Sequence, residues 1–138
     1  AAMSTFSHFV AALHVFIGGG FGAVLRWQLG RAMTGWLGAP VVTAFPFATL
    51  AANAAGSLAM GLLAGWLARH GSGEGEQLRL LLGVGLLGGF TTFSAFSLEM
   101  VLLIERGQYL FALLYAVLSI ALGITGLMVG LGVMRMAG

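Results

Sequence analysis

The chain has 138 residues, 59% of them hydrophobic and only 7% charged, with a formal net charge of +2 and no cysteine. Soluble proteins carry about 25% charged residues, so this composition excludes a soluble domain, and the missing cysteines exclude disulfides, thiol catalysis and Cys-based metal sites. The basic residues are all arginines spread along the chain, which excludes a nucleic-acid patch and with it a nucleic-acid partner.

Four hydrophobic stretches follow in order: Phe6 to Leu25, Ala44 to Ala68, Leu78 to Ile104, and Gln108 to Met134. Each reaches the roughly 20 residues needed to cross hydrocarbon. The connections are short, residues 69–76 being the clearest loop. Residues 1–138 therefore read as a single all-α integral membrane domain of four transmembrane helices.

The first stretch has no cationic region before it, so a cleaved signal peptide is not expected. It carries Gly18-Gly19-Gly20 and Gly22. With Gly56, Gly61 and Gly65 in the second stretch and Gly123, Gly126 and Gly130 in the fourth, these predict close helix packing in a compact, dimeric bundle. His8 and His14 lack a converging third ligand and read as interfacial or packing residues.

In the second stretch Asn53 stands mid-span, and two readings are open. It is interhelical glue, worth about 0.6 kcal/mol, or an amide donor lining a polar path.

The third stretch is the most informative. Gly88-Gly89 followed by Thr91-Thr92 is poor helix and favours a break. At membrane depth a break is tolerated only where freed backbone groups are buried in protein or face water. Phe93 and Phe96 follow on one helical face, and Glu99 lies near it. An ionisable group within a span is a functional candidate by default, although Glu99 is close enough to the span end to reach the interface.

In the fourth stretch Tyr115 and Ser119 are four apart and share a face. Hydroxyls there suit an ion path, but taken alone they are explained by bonding back to their own helix.

Arginine in short loops sets orientation. Arg69, Arg79 and Arg135 fall on one side and Arg26, Arg31 and Arg106 on the other. This tie predicts no preferred orientation and allows insertion both ways up. A weak bias resolved by hydrophobicity, or arginines such as Arg26 not acting as loop charges, is the alternative. No Walker motif, nucleophile elbow, His-Glu-x-x-His or aspartate occurs, so an enzyme is not expected.

Three blocks carry a family resemblance: Gly18-Gly19-Gly20-Phe21-Gly22-Ala23-Val24-Leu25-Arg26, the run Thr49 to Ser57 around Asn53, and Gly88-Gly89-Phe90-Thr91-Thr92-Phe93-Ser94-Ala95-Phe96-Ser97 followed by Glu99. In this order, over essentially the whole chain, they resemble the Fluc (CrcB) family of fluoride channels. The resemblance implies an antiparallel, dual-topology homodimer with a broken third helix and two fluoride pathways. It implies a structural Na+ at the dimer interface, held by backbone carbonyls of Gly88 and Thr91 from both subunits. It places Phe93 and Phe96 as a ring stack along the pore, Asn53, Thr92, Tyr115 and Ser119 as its polar lining, and Arg26 and Glu99 near the pore mouths.

Physical chemistry makes the ring assignment reasonable. Fluoride is small and strongly hydrated, so a pore must replace water with several donors. Ring edges carry partial positive charge, and hydroxyl and amide groups supply conventional donors. Three positions depart from the pattern. Ala95 stands where the family has threonine, and a hydroxyl track continuing at four-residue intervals from Tyr115 and Ser119 meets Gly123 and Leu127, with Thr125 out of phase.

The reading that follows is passive fluoride export across a bacterial inner membrane. The alternative is a small four-helix proton-coupled drug or cation antiporter, which would want a carboxylate in the middle of the first span, where none exists. A non-transporting membrane scaffold is the third class.

Overall fold

The first helix runs well past its expected end. In the computed structural model, which describes residues 5–70 and 74–137, α1 spans Thr5–Leu37. Its 33 residues reach about 50 Å, against about 30 Å of hydrocarbon. Arg26 and Arg31 therefore ride on a helix and not in a loop, as the alternative for Arg26 had it. Nothing in the sequence breaks the helix until Gly38, whose φ of 93° few other residues adopt. Pro40 then sits in the first turn of α2, Ala39–Ala44.

Phe45 is extended and Pro46 has no N–H, so the second span, α3, begins at Phe47 rather than Ala44 and ends at His70. Of the loop expected over 69–76, Arg69 and His70 still belong to α3, and Glu74 already opens α4, Glu74–Leu78. Gly71, Ser72 and Gly73 lie outside the described residues.

The third span winds on from α4 into a π-helical segment, Arg79–Leu87, then a single α-turn, α5, Gly88–Phe90. Thr91 and Thr92 are extended, and α6 follows as Phe93–Glu105. Gly88 and Gly89 are thus helical, and the non-helical residues are the two β-branched threonines. At Gly89 the missing side chain is needed for packing, because a Cβ there would collide with the Gly19 carbonyl, whereas one on Gly88 would make only ordinary contact.

A tight turn at Arg106-Gly107, with Gly107 at φ 73°, leads to α7, Tyr109–Met136. The Arg106 guanidinium donates to the Thr43 carbonyl at 2.9 Å and ties this turn to the end of α2. Four segments are long and apolar enough to cross a membrane, 5–37, 47–70, 75–105 and 109–136, and no strand occurs among the described residues.

Two glycine seams hold these spans together. Between α1 and the third span, a Cβ on Gly18 would collide with the Leu81 carbonyl, one on Gly22 with that of Leu86, and one on Gly89 with that of Gly19. Between α3 and α7, Gly61 sits against the Leu127 carbonyl, and a Cβ on Gly130 would come 2.5 Å from that of Leu58. Such approach replaces the hydrophobic drive that lipid cannot supply. Gly20, Gly30, Gly35 and Gly132 meet nothing within 4 Å, so packing within one chain does not account for them.

The buried cluster is small: Phe45, Leu103, Ala112 and Tyr115, with Leu50, Phe96 and Met100 against it. It locks α3, α6 and α7 together beside the extended threonines. Most large apolar side chains, Phe16, Phe21, Ile120 and Met128 among them, are exposed, as a lipid-facing surface requires.

Candidate functional site

The extended threonines are held by side chains in place of helical partners. Asn53 on α3 reaches across and pairs with the backbone of Thr92: its Nδ2 donates to the Thr92 carbonyl at 3.0 Å, and the Thr92 amide donates to its Oδ1 at 2.8 Å. The Thr92 hydroxyl accepts from the Ala95 amide at 3.1 Å and caps α6, while the Thr91 hydroxyl donates to the Leu87 carbonyl at 2.8 Å. Asn53 is thus glue, as one of its readings had it, but glue to backbone. Its second N–H remains available, since a primary amide has two donors.

The same bonds decide which carbonyls are left over. In a continuous helix the Gly88 and Thr91 carbonyls would accept from the Thr92 and Ala95 amides four residues on. Those two amides are given to Asn53 Oδ1 and Thr92 Oγ1 instead. Two neighbouring carbonyls are therefore freed from the helical ladder, and Gly88 is exposed. Carbonyl oxygen is the donor that hard cations take, so these residues fit a sodium ion. Among the described residues no cluster of His, Asp or Glu could serve a metal of another kind.

On the far side of Phe96 lies a carboxylate network. Glu99 accepts from the Thr49 hydroxyl at 3.0 Å and from the Tyr115 hydroxyl at 3.0 Å, one bond to each oxygen. Thr49 is only 7% exposed and Tyr115 fully buried. Glu99 therefore does not simply reach out to the interface. It also lines a cavity of about 330 Å³ with Thr43, Pro46 and Arg106. Thr49 in turn lines a separate cavity of about 700 Å³ with Arg26, Arg31, Trp27 and Thr34.

Between the two polar regions runs a file of rings. Phe93 and Phe96 lie 5.8 Å apart between centroids at 33°, Phe96 and Tyr115 4.9 Å apart at 50°, and Tyr115 and Phe45 5.6 Å apart at 72°. None of these pairs is a parallel sandwich, so edges are presented between neighbours. Phe93 is 78% exposed and, with Asn53, Thr91, Thr92, Phe96 and Ser119, lines an open groove of about 410 Å³.

Ser119 is the one buried side-chain polar atom among the described residues with no hydrogen-bond partner. It does not bond back to its own helix, the simpler account of a lone span serine. Tyr115 faces the other way from what a free lining donor would need, because its hydroxyl is spent on Glu99. Of the residues expected at a site, Asn53, Thr92, Phe93, Phe96, Ser119, Gly88 and Thr91 converge on the groove. Tyr115 and Glu99 form the next layer with Thr49, and Arg26 lies beyond Thr49.

Sequence reasoning passed over Thr49 and Phe45. Thr49 stands four residues before Asn53, on the same helical face, which was the available signal. Nothing local marked Phe45, whose ring reaches Tyr115 only because α2 ends beside it.

The chain matches the family described as "CrcB-like protein, Camphor Resistance (CrcB)" over residues 13–131. It is 58% identical over 134 residues to the fluoride-specific ion channel FluC of Erythrobacter litoralis, covering 97% of this chain and 98% of that one. It is 59% identical over 125 residues to the protein of that name from Novosphingobium aromaticivorans, covering 91% and 96%. Identity to the Phenylobacterium zucineum protein of that name is 51% over 121 residues, covering 88% and 92%.

Proposed function

This chain belongs to the CrcB-like family, and on that premise we propose that it is a fluoride-selective ion channel, not an enzyme, releasing fluoride passively across a bacterial inner membrane. The observation that carries the reading is the groove, where a file of ring edges joins unspent donors. Fluoride entering it meets the Ser119 hydroxyl, the second Asn53 N–H and the edges of Phe93 and Phe96. Several weak donors replace part of the hydration shell, and no arginine reaches the groove lining to trap the ion.

Glu99 and Tyr115 act beyond Phe96. The carboxylate repels a second anion and holds the Tyr115 ring in place through its hydroxyl. Arg26, in the cavity behind Thr49, draws anions toward the mouth.

The functional unit in this reading is a homodimer with its subunits inserted in opposite directions, its third span broken at Thr91-Thr92. The open groove and the exposed Phe93 support a second copy lying against this face. The Gly88 and Thr91 carbonyls of both copies would hold a sodium ion there, which supplies fixed positive charge and joins the two breaks.

Fluoride and chloride efflux from proteoliposomes tests the proposal. Fast fluoride release with chloride retained is expected, and release only under a proton gradient would overturn it in favour of an antiporter. Labelling of both termini from each side of intact cells tests the opposed insertion, and one-sided labelling of each would refute it.

A further inference from the structure

The groove is lined by four hydroxyl side chains, Ser57, Thr91, Thr92 and Ser119. Two are spent: Thr91 donates to the Leu87 carbonyl, and Thr92 caps α6. Ser119 has no partner, and no hydrogen bond ends on the Ser57 hydroxyl among the described residues. Ser57 lies one turn beyond Asn53 on α3, so the two share a face.

Opposite Ser57, the hydroxyl track of α7 gives out. One turn past Ser119 stands Gly123, and a turn further Leu127, both on the groove wall. A Cβ at Gly123 would sit 3.6 Å from the Ser57 Oγ, in ordinary contact with it. The space left by the missing side chain at 123 is therefore where the Ser57 hydroxyl points.

We propose that Ser57 supplies the donor that α7 lacks at position 123, so that the fluoride path crosses from α7 at Ser119 to α3 at Ser57. This rests on the channel reading above and adds a residue to it. Ser57 is then a lining residue that contacts the ion, and Gly123 is the gap that admits both. A glycine here keeps the wall from closing, while the hydroxyl on the neighbouring helix keeps the ion partly coordinated as it leaves Ser119. Past this point Met60 and Leu127 leave the groove apolar, which makes Ser57 the last donor on that side.

The test is fluoride efflux from proteoliposomes with four variants that elute like wild type on size exclusion. Ser57→Ala should lower the rate about tenfold, the loss of one hydrogen bond to an ion. Ser57→Cys, nearly isosteric and a weak donor, should fall similarly and guards against a packing artefact of the alanine. Adding Gly123→Ser to Ser57→Ala should restore most of the rate by returning a hydroxyl to the same space from the other helix. Adding Gly123→Ala should not. Unchanged flux in both Ser57 variants overturns the inference, as does equal rescue by serine and alanine at 123. If wild type itself carries no fluoride, the channel reading fails and this inference falls with it.

Discussion

The third span is bound on one side by backbone meeting backbone and on the other by side chains standing in for backbone. Against α1, Gly18, Gly22 and Gly89 let carbonyls approach so closely that no Cβ fits. Toward α3 and α7, Asn53, Thr49, Glu99 and Tyr115 form hydrogen bonds across 3.0 Å or less. The first seam has no tolerance for volume and no chemistry. The second tolerates an irregular backbone and offers donors to whatever fills the groove. Both seams hold the span in place, but only the second offers groups to an ion, so substitutions on the two sides should fail in different ways.

Gly22→Val should have the largest effect. Its side chain meets the Leu86 carbonyl, and overpacking of about 3 kcal/mol or more should leave no monodisperse protein in detergent. Normal yield and melting would mean that α1 and the π segment are not in backbone contact.

Asn53→Ala should come next, because it strands the Thr92 amide and carbonyl together. The cost is about 2 to 4 kcal/mol in thermal unfolding, with fluoride efflux lost. An unfolding midpoint equal to wild type would show that the extended threonines hold themselves.

Glu99→Gln keeps the volume but turns one acceptor into a donor, so either the Thr49 or the Tyr115 hydroxyl must turn from donating to accepting, and the charge that strengthened both bonds is gone. A loss near 1 kcal/mol and a slowed efflux are expected. Tyr115→Phe should reproduce the slowing if the ring's position is what Glu99 controls, and efflux at the wild-type rate in both would separate the carboxylate network from the path.

Phe93→Ile sharpens the contrast further. Exposed to 78% within its own chain, Phe93 makes few contacts there, so the subunit should fold as wild type, with a change under about 0.5 kcal/mol, yet most of the fluoride flux should be abolished. Intact flux in both Phe93→Ile and Phe96→Ile would remove the rings from the pathway.

Gly132→Ala should do least. It meets nothing within 4 Å, so a shift within about 1 kcal/mol, toward higher stability, follows from helix propensity alone. A clear drop in dimer content would instead place a second copy against that face.

The four spans were legible because length and apolarity are properties of the local sequence. The end of α1 was not. Arg26 marked a polarity change, but a helix ends where its backbone does, at Gly38, and charge on a helix surface carries no stop signal. The poor helix formers at 88–92 pointed to the right place but not to the right residues. Propensity ranks glycine below threonine, yet packing against Gly19 keeps Gly89 helical and Asn53 draws Thr92 out. That partner lies on another span and has no local trace. Asn53, Phe93 and Phe96 stood out as candidate site residues from their blocks, whereas the spacing of Ser119 to Tyr115 marked only a shared face that back-bonding to the helix would explain. The engagement of Tyr115 by Glu99 depends on three helices converging, which no single stretch encodes.

The π-helical winding of Arg79–Leu87 has a consequence for what insertions and deletions this span can accept. A wider turn packs an extra residue into the same rise, so it sets the angular phase of everything after it. Removing one residue from 79–87 would let the segment relax to ordinary α-helix with little loss of length, and the larger turn per residue of the α-helix offsets most of the deleted step. Gly89 would stay near the Gly19 carbonyl, and Thr92 near Asn53. The same deletion early in α6 has no wide turn to absorb it and would rotate Glu99 by about 100°, one α-helical step, away from Thr49 and Tyr115. The π segment acts as a reserve of one residue, and a deletion there should be far less damaging than one in α6.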